Sequence, residues 1–128
     1  MVSSAKKRKI ARSKQVGGPY KNEVSLNHVR ISPRKMRLVV DMVRGEQVEP
    51  ALQILKFSKK RGAKLLEKLL RSGVMNAKQA EVDVDKLWIS KCSVDMGKTL
   101  FRFFPRAQGR AAPIRKRSSH ITLVLETR

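Results

Sequence analysis

The residues best equipped for chemistry in this chain are the cations and aromatics of one acid-free stretch. Between Asp95 and Glu126 thirty consecutive residues carry no carboxylate, yet Lys98, Arg102, Arg106, Arg110, Arg115, Lys116 and Arg117 lie among them. Nothing inside the segment can neutralise its charge. Phe101, Phe103 and Phe104 are interleaved with these cations, and Pro105-Arg106-Ala107-Gln108-Gly109-Arg110 supplies turn chemistry between two extended runs. The chemistry this offers is binding: guanidinium groups pair phosphates bidentately and stack on bases, and phenylalanine fills gaps between nucleotides. A long basic hairpin with aromatics suits a polyanion with crevices, and structured RNA is the leading ligand.

Constellations for catalysis or metal binding are weak by comparison. His28 and His120 have no neighbouring carboxylates in the sequence, and no Gly-rich phosphate loop is present. Cys92 is the single cysteine, with no nearby His or Cys to complete a metal site and no partner for an internal disulfide. Glu81, Asp83 and Asp85 form the one acidic cluster, but Glu81-Val82-Asp83-Val84-Asp85 lacks the turn glycine and further oxygen ligands of a calcium loop. Its alternation with valine reads as a solvent-exposed edge. The chain is therefore expected to be no enzyme, with no catalytic residues, no metal and no cofactor.

Composition agrees with a polyanion partner, because 30 Lys+Arg against 10 Asp+Glu leave a formal charge of +20 on 128 residues. The excess is uneven. Residues 1–22 hold seven cations and no acid, residues 23–96 hold fifteen against nine, and residues 97–128 hold eight against one. A globular body with two basic extensions follows. The acid-free N-terminus has no apolar central region and so is not a secretory signal; Lys6-Lys7-Arg8-Lys9 fits an arm, disordered when free, that orders on RNA, with an organellar transit peptide as the alternative. No apolar run is long enough for a membrane span, so a reducing, soluble compartment is the expectation.

The elements that must position these residues can be read from periodicity. Residues 23–31 read as a short strand or extended lead-in. Ser32-Pro33 then marks a helix start, Met36, Val39, Val40 and Val43 define an apolar face, and Gly45 stops it after about three turns. The opposite face presents Arg34, Lys35, Arg37 and Arg44 as candidate phosphate contacts. A second helix runs from Val48 to near Phe57, with Glu49-Pro50 in its first turn. The third spans about Lys60 to Gln79; Gly73 within it costs roughly 1 kcal/mol against alanine, which points to close packing against another element.

Leu87 to Asp95 and then Ile121, Leu123 and Leu125 alternate as strands, with Trp88 expected in the core. Pairing the two antiparallel brings Gly97 opposite Ser118 and Ser119 and expels everything between as a hairpin. The eight steps from Gly97 to Pro105 at ~3.3 Å would reach roughly 26 Å, beyond what a small core covers. The expected fold is α+β: three helices on a small antiparallel sheet, a single domain over residues 23–128 including a long basic β-hairpin at about 97–119, and a basic arm before it. Rival readings are an architectural DNA-binding protein with a basic β-ribbon arm and a small nuclease. The first needs a dimer body for which the helices show no heptad seam, and the second needs carboxylates that are missing.

Two motifs carry a resemblance. Ser32-Pro33-Arg34-Lys35-Met36-Arg37-Leu38-Val39 followed by Arg44-Gly45 resembles the first-helix signature of the large-ribosomal-subunit protein twenty-two family. Pro105-Arg106-Ala107-Gln108-Gly109-Arg110-Ala111, with His120-Ile121-Thr122-Leu123-Val124-Leu125 at matching spacing, is similar to its C-terminal signature, so the likeness covers about residues 24–128. It implies a cytoplasmic ribosomal protein, with an organellar ribosome as the alternative. Its implied partners are large-subunit ribosomal RNA, neighbouring large-subunit proteins and the nascent polypeptide, without membrane or small-molecule substrate. It further implies early assembly and a hairpin lining the polypeptide exit tunnel, with Arg106, Gln108, Gly109 and Arg110 tunnel-facing. Arg34, Lys35, Arg37, Arg44, Lys98, Arg102, Arg115, Lys116 and Arg117 are the candidate RNA contacts.

The acid-free compositions generate one expectation for the isolated protein. Limited proteolysis should cut first within residues 1–22 and 100–115; equal protection of both regions and the helices would sink the two-extension reading.

Overall fold

The computed structural model describes residues 21–127; residues 1–20 of the stretch read as a basic arm lie outside them. Strand β1 spans Lys21–Val29. It starts earlier than the charge pattern placed it: Lys21 and Asn22, counted with the arm, pair with Glu126 and Leu125, and the Lys21 ammonium lies 3.1 Å from the Glu126 carboxylate.

Helix α1, Pro33–Val40, begins as expected with proline in its first turn after an extended Ser32. It is eight residues long, shorter than three turns, because the chain tightens beyond it. The Met42 and Val43 amides donate to the Val39 and Val40 carbonyls, and Gly45 then turns left-handed at φ 75°. Val43 still reaches the core. Helix α2 spans Val48–Phe57 and helix α3 Arg61–Gln79, within a residue of their expected bounds.

Strand β2, Leu87–Met96, and strand β5, Ser119–Thr127, complete an antiparallel sheet in the order β1–β5–β2. The central strand buries Ile121, Leu123 and Leu125 completely, and the three helices supply Met36, Val40, Leu55, Leu66 and Leu70 to the same core. This is the α+β architecture expected. Gly73 has the close approach its position in α3 suggested. A Cβ there would lie 2.6 Å from Leu125 Cδ1 and 3.4 Å from Val24 Cγ2.

Two expectations are corrected. The alternation over β2 is not one period, because Ile89 pairs with Leu125 and Lys91 with Val124, leaving Ser90 as an extra residue. The phase flips there. Leu87 and Ile89 face the core before Ser90, and Cys92 and Val94 after it. Trp88, expected in the core, is therefore half-buried on the opposite face, where its backbone bridges to Gln47. The acidic segment is likewise not an edge strand: it turns through a 3₁₀ segment at Val84–Lys86, exposing its carboxylates while Val82 and Val84 pack partly against the core.

Strands β3, Leu100–Pro105, and β4, Ala111–Lys116, pair only with each other, from Leu100–Lys116 at the base to Pro105–Ala111 beside the tip. Their neck is fastened to the body by the Gly97 amide, which donates to the Ser118 carbonyl at 2.8 Å, and by Ser118 Oγ, which donates to the Lys98 carbonyl at 2.7 Å.

The close approach at Gly73 is testable. Gly73→Val places its side chain against the fully buried Leu125, so stability should fall by about 2 kcal/mol, within the ~1–3 kcal/mol range of core overpacking. Urea unfolding checks this; an unchanged midpoint would mean the helix can move off the sheet without penalty.

Candidate nucleic-acid interface

The body and the base of the hairpin enclose a cleft of about 900 Å³. Its walls come from α1 and the segment leading into it, the start of α3, and the lower parts of β3 and β4. Five of the cations singled out in the sequence converge here: Lys35, Arg102, Arg115, Lys116 and Arg117. Three more that sequence reasoning passed over join them, Arg30, Lys60 and Arg61. No carboxylate lines the cleft, and among the described residues none of these eight cations has an acidic partner. At ~10 Å screening length in ordinary salt, such crowding costs free energy unless a polyanion or condensed counterions offset it.

A signal for the missed residues was present. The start of a helix favours acidic side chains, because the unsatisfied amides there carry partial positive charge. Both α1 and α3 lack an acid in their first turn, α1 carrying Arg34 and Lys35 there and α3 opening on Lys59-Lys60-Arg61. No side chain caps either start. Cations placed against the dipole at two helix starts on one cleft add their field to it, and both favour an anion.

The remaining candidates divide. Arg37 donates to the Val94 carbonyl at 3.4 Å, tying α1 to β2, and Arg44 is paired with Asp41 at 2.9 Å. Arg34 and Lys98 are exposed and lie outside the cleft lining. The four described ion pairs, Lys21–Glu126, Arg44–Asp41, Arg71–Glu67 and Lys86–Asp83, all join residues outside β3, β4 and their tip. The acids of the body neutralise part of its own charge and none of the hairpin's.

Beyond the cleft the ribbon is exposed on both faces. Cross-strand pairing puts Phe101, Phe103, Pro113 and Arg115 on one face and Arg102, Phe104, Ala112 and Ile114 on the other. Phe103 is 78% exposed. A two-stranded ribbon is marginal in water, and its flat apolar side chains offer stacking surface. At the tip Arg106, Gln108, Gly109 and Arg110 are all exposed, with the Arg106 guanidinium 5.2 Å from the centre of the Phe104 ring. The Arg106 amide closes the turn on the Arg110 carbonyl at 2.6 Å. Gly109 takes the positive φ expected of it, 67°, and Gln108 does so too, at 59°. A non-glycine residue there costs about 1–2 kcal/mol, a strain that the side chain did not announce.

Nothing in this geometry resembles a reaction centre. Among the described residues no group of three or more His, Cys, Asp or Glu is placed to hold a metal ion, and no helix is long and apolar enough to cross a membrane. Burial pushes the Cys92 thiol up to about 11, with Arg44 opposing the shift and Asp41 adding to it. It is protonated and unreactive at neutral pH.

Comparison with known proteins decides the family. Residues 24–126 match the model of the family described as ribosomal protein L22p/L17e. The chain belongs to that family. It is 57% identical over 104 residues to the large ribosomal subunit protein uL22 of Syntrophotalea carbinolica, covering 80% of this chain and 94% of the relative. It is 58% identical over 101 residues to that of Geobacter sulfurreducens, covering 78% and 91%. With the Myxococcus xanthus protein of the same name it shares 50% over 103 residues, covering 78% and 90%. The resemblance carried by the Ser32–Val39 and Pro105–Ala111 motifs is thus the correct one, and a member of this ribosomal family is not an enzyme.

The cleft makes a salt-dependent prediction. Each phosphate neutralised releases counterions, so affinity for structured RNA should fall steeply with salt, and replacing Arg102, Arg115 and Arg117 by alanine should flatten the log–log slope by about 1 for each phosphate no longer neutralised. Filter binding across a salt series measures it; an unchanged slope would leave these arginines solvated and idle.

Proposed function

We propose that this chain is a structural constituent of the large ribosomal subunit that binds large-subunit ribosomal RNA, supports assembly of the particle, and lends its hairpin to the wall of the polypeptide exit tunnel. The observation that carries the RNA reading is the eight-cation cleft, free of carboxylate, that leads into a ribbon no other part of the described chain covers. Family membership supports the subunit assignment, since the relatives bear the name of a large-subunit protein. Those relatives are bacterial, which favours a cytoplasmic bacterial ribosome over an organellar one.

The roles divide along the chain. Lys35, Arg102, Arg115, Lys116 and Arg117 meet phosphate at the cleft, and Arg34 and Lys98 extend the basic surface beside it. Arg37, on α1, and Arg44, in the turn beyond it, add to that surface, while Arg37 also ties α1 to β2. The exposed phenylalanines of β3 fill crevices between nucleotides, where their apolar area leaves water. Arg106, Gln108, Gly109 and Arg110 form a tip without regular pairing, small enough in cross-section to project into a channel and meet a nascent chain. Neighbouring large-subunit proteins complete the surroundings.

This division is tested by deleting Phe103 to Ala112 and closing the gap with a short glycine linker. The shortened protein should still co-sediment with large subunits, because the cleft and the helix faces retain the main phosphate contacts. Passage of nascent chains and the footprint of a macrolide beside the tip should both change, since two cations leave the wall and space opens. Normal incorporation with both readouts unchanged would remove the tip from the tunnel; failure to incorporate would make the hairpin the anchor.

A further inference from the structure

The cleft is lined by apolar side chains as well as by cations, and that combination selects among kinds of RNA. Leu38, on α1, is 59% exposed, and it lines the cleft together with the half-buried Ile31 and Leu100. A surface built only to meet phosphate has no use for a leucine among eight cations. Water against Leu38 and Ile31 is displaced at a gain only by something flat and weakly hydrated, and in RNA that is the face of a base.

Shape argues the same way. The cleft is concave and of a volume that suits small-ligand pockets, which run ~300–1,000 Å³. A paired A-form helix presents a convex surface whose bases are stacked inside, so it would meet the cations and leave the apolar side chains wet. An extruded nucleotide can place its base against the apolar side chains while the phosphates on either side meet the cations. Resting on the RNA reading above, we propose that the cleft takes an unpaired, unstacked nucleotide of the ribosomal RNA, its base against Leu38, Ile31 and Leu100 and its flanking phosphates on Lys60, Arg61 and Lys116.

The proposal also gives the cleft a mechanical role. One wall belongs to the body and the other to the base of the hairpin. Apart from the neck hydrogen bonds, the ribbon's strands pair with each other alone. A nucleotide bridging the two walls holds the ribbon at a fixed angle to the body.

The test uses the full-length protein assembled into large subunits. A benzophenone amino acid replacing Leu38, exposed enough to be tolerated, is photolysed and the cross-linked RNA positions are mapped by primer extension; a second copy carries the probe in place of Phe103 on the ribbon. Base-specific chemical probing of naked RNA reports which positions are unpaired. The Leu38 probe should cross-link to one or two unpaired nucleotides. In particles carrying Leu38→Ser, the same nucleotides should become about tenfold more reactive at their base edges, the change expected when a base is deprived of one good apolar neighbour. Cross-links to paired nucleotides or to protein, or unchanged reactivity in Leu38→Ser, would overturn the proposal while a Phe103 cross-link to RNA leaves the RNA reading standing. Silence of both probes toward RNA would overturn that reading as well.

Discussion

The antiparallel pairing of β2 with β5 is the constraint on which the rest of this structure depends. Ile121, Leu123 and Leu125 are buried at zero exposure in the central strand, between β1 and β2 and under the helices. A slip of one residue would turn all three to the other face and cost several kcal/mol, at ~1.5–3 kcal/mol for each aliphatic side chain returned to water. The register is therefore fixed by the core. Once Met96 pairs with Ser119, the residues between them have no place in the sheet and must leave as a separate ribbon.

From that exit follows the electrostatic division of the molecule. The body holds all ten acids and uses four of them in ion pairs of its own. The ribbon and the cleft at its base hold unpaired cations, which repel one another in the free protein. Exposed ion pairs are worth little, ~0–1 kcal/mol each, so the body gains modest stability from its pairs. Their larger effect is local: a cation already paired within the protein is a weaker site for phosphate than one that is not.

Much of this was legible in the sequence. The three helices, the alternation of the last strand, the neck at Gly97 and the glycine turn at Gly109 all come from local signals of period, capping and turn chemistry. What stayed hidden depends on tertiary context. The extra residue at Ser90 reverses the facing of β2, and no property of serine announces it; hence Trp88 was misplaced. Lys60 and Arg61 open an acid-free helix start, a signal whose meaning depended on the fold bringing them into one cleft with Arg102 and Lys116. Arg37 and Arg44 read as free phosphate ligands because their partners, the Val94 carbonyl and the Asp41 carboxylate, appear only when α1 docks on β2 and its C-terminal turn closes.

The same reasoning explains why an extension so poorly covered persists in a folded chain. A ribbon that packed on the body would bury Phe101, Phe103 and Phe104, but it would also carry Arg106 and Arg110 toward Arg30, Lys35, Lys60 and Arg61, which already share the cleft with Arg102 and Arg115. Apolar burial of one phenylalanine gains ~1.5–3 kcal/mol, whereas like charges brought within a few ångströms at a partly desolvated surface cost ~4 kcal/mol a pair. Collapse onto the body is thus opposed by the charges that make the ribbon useful. Only negative charge inserted between the two walls reverses the sign of that term.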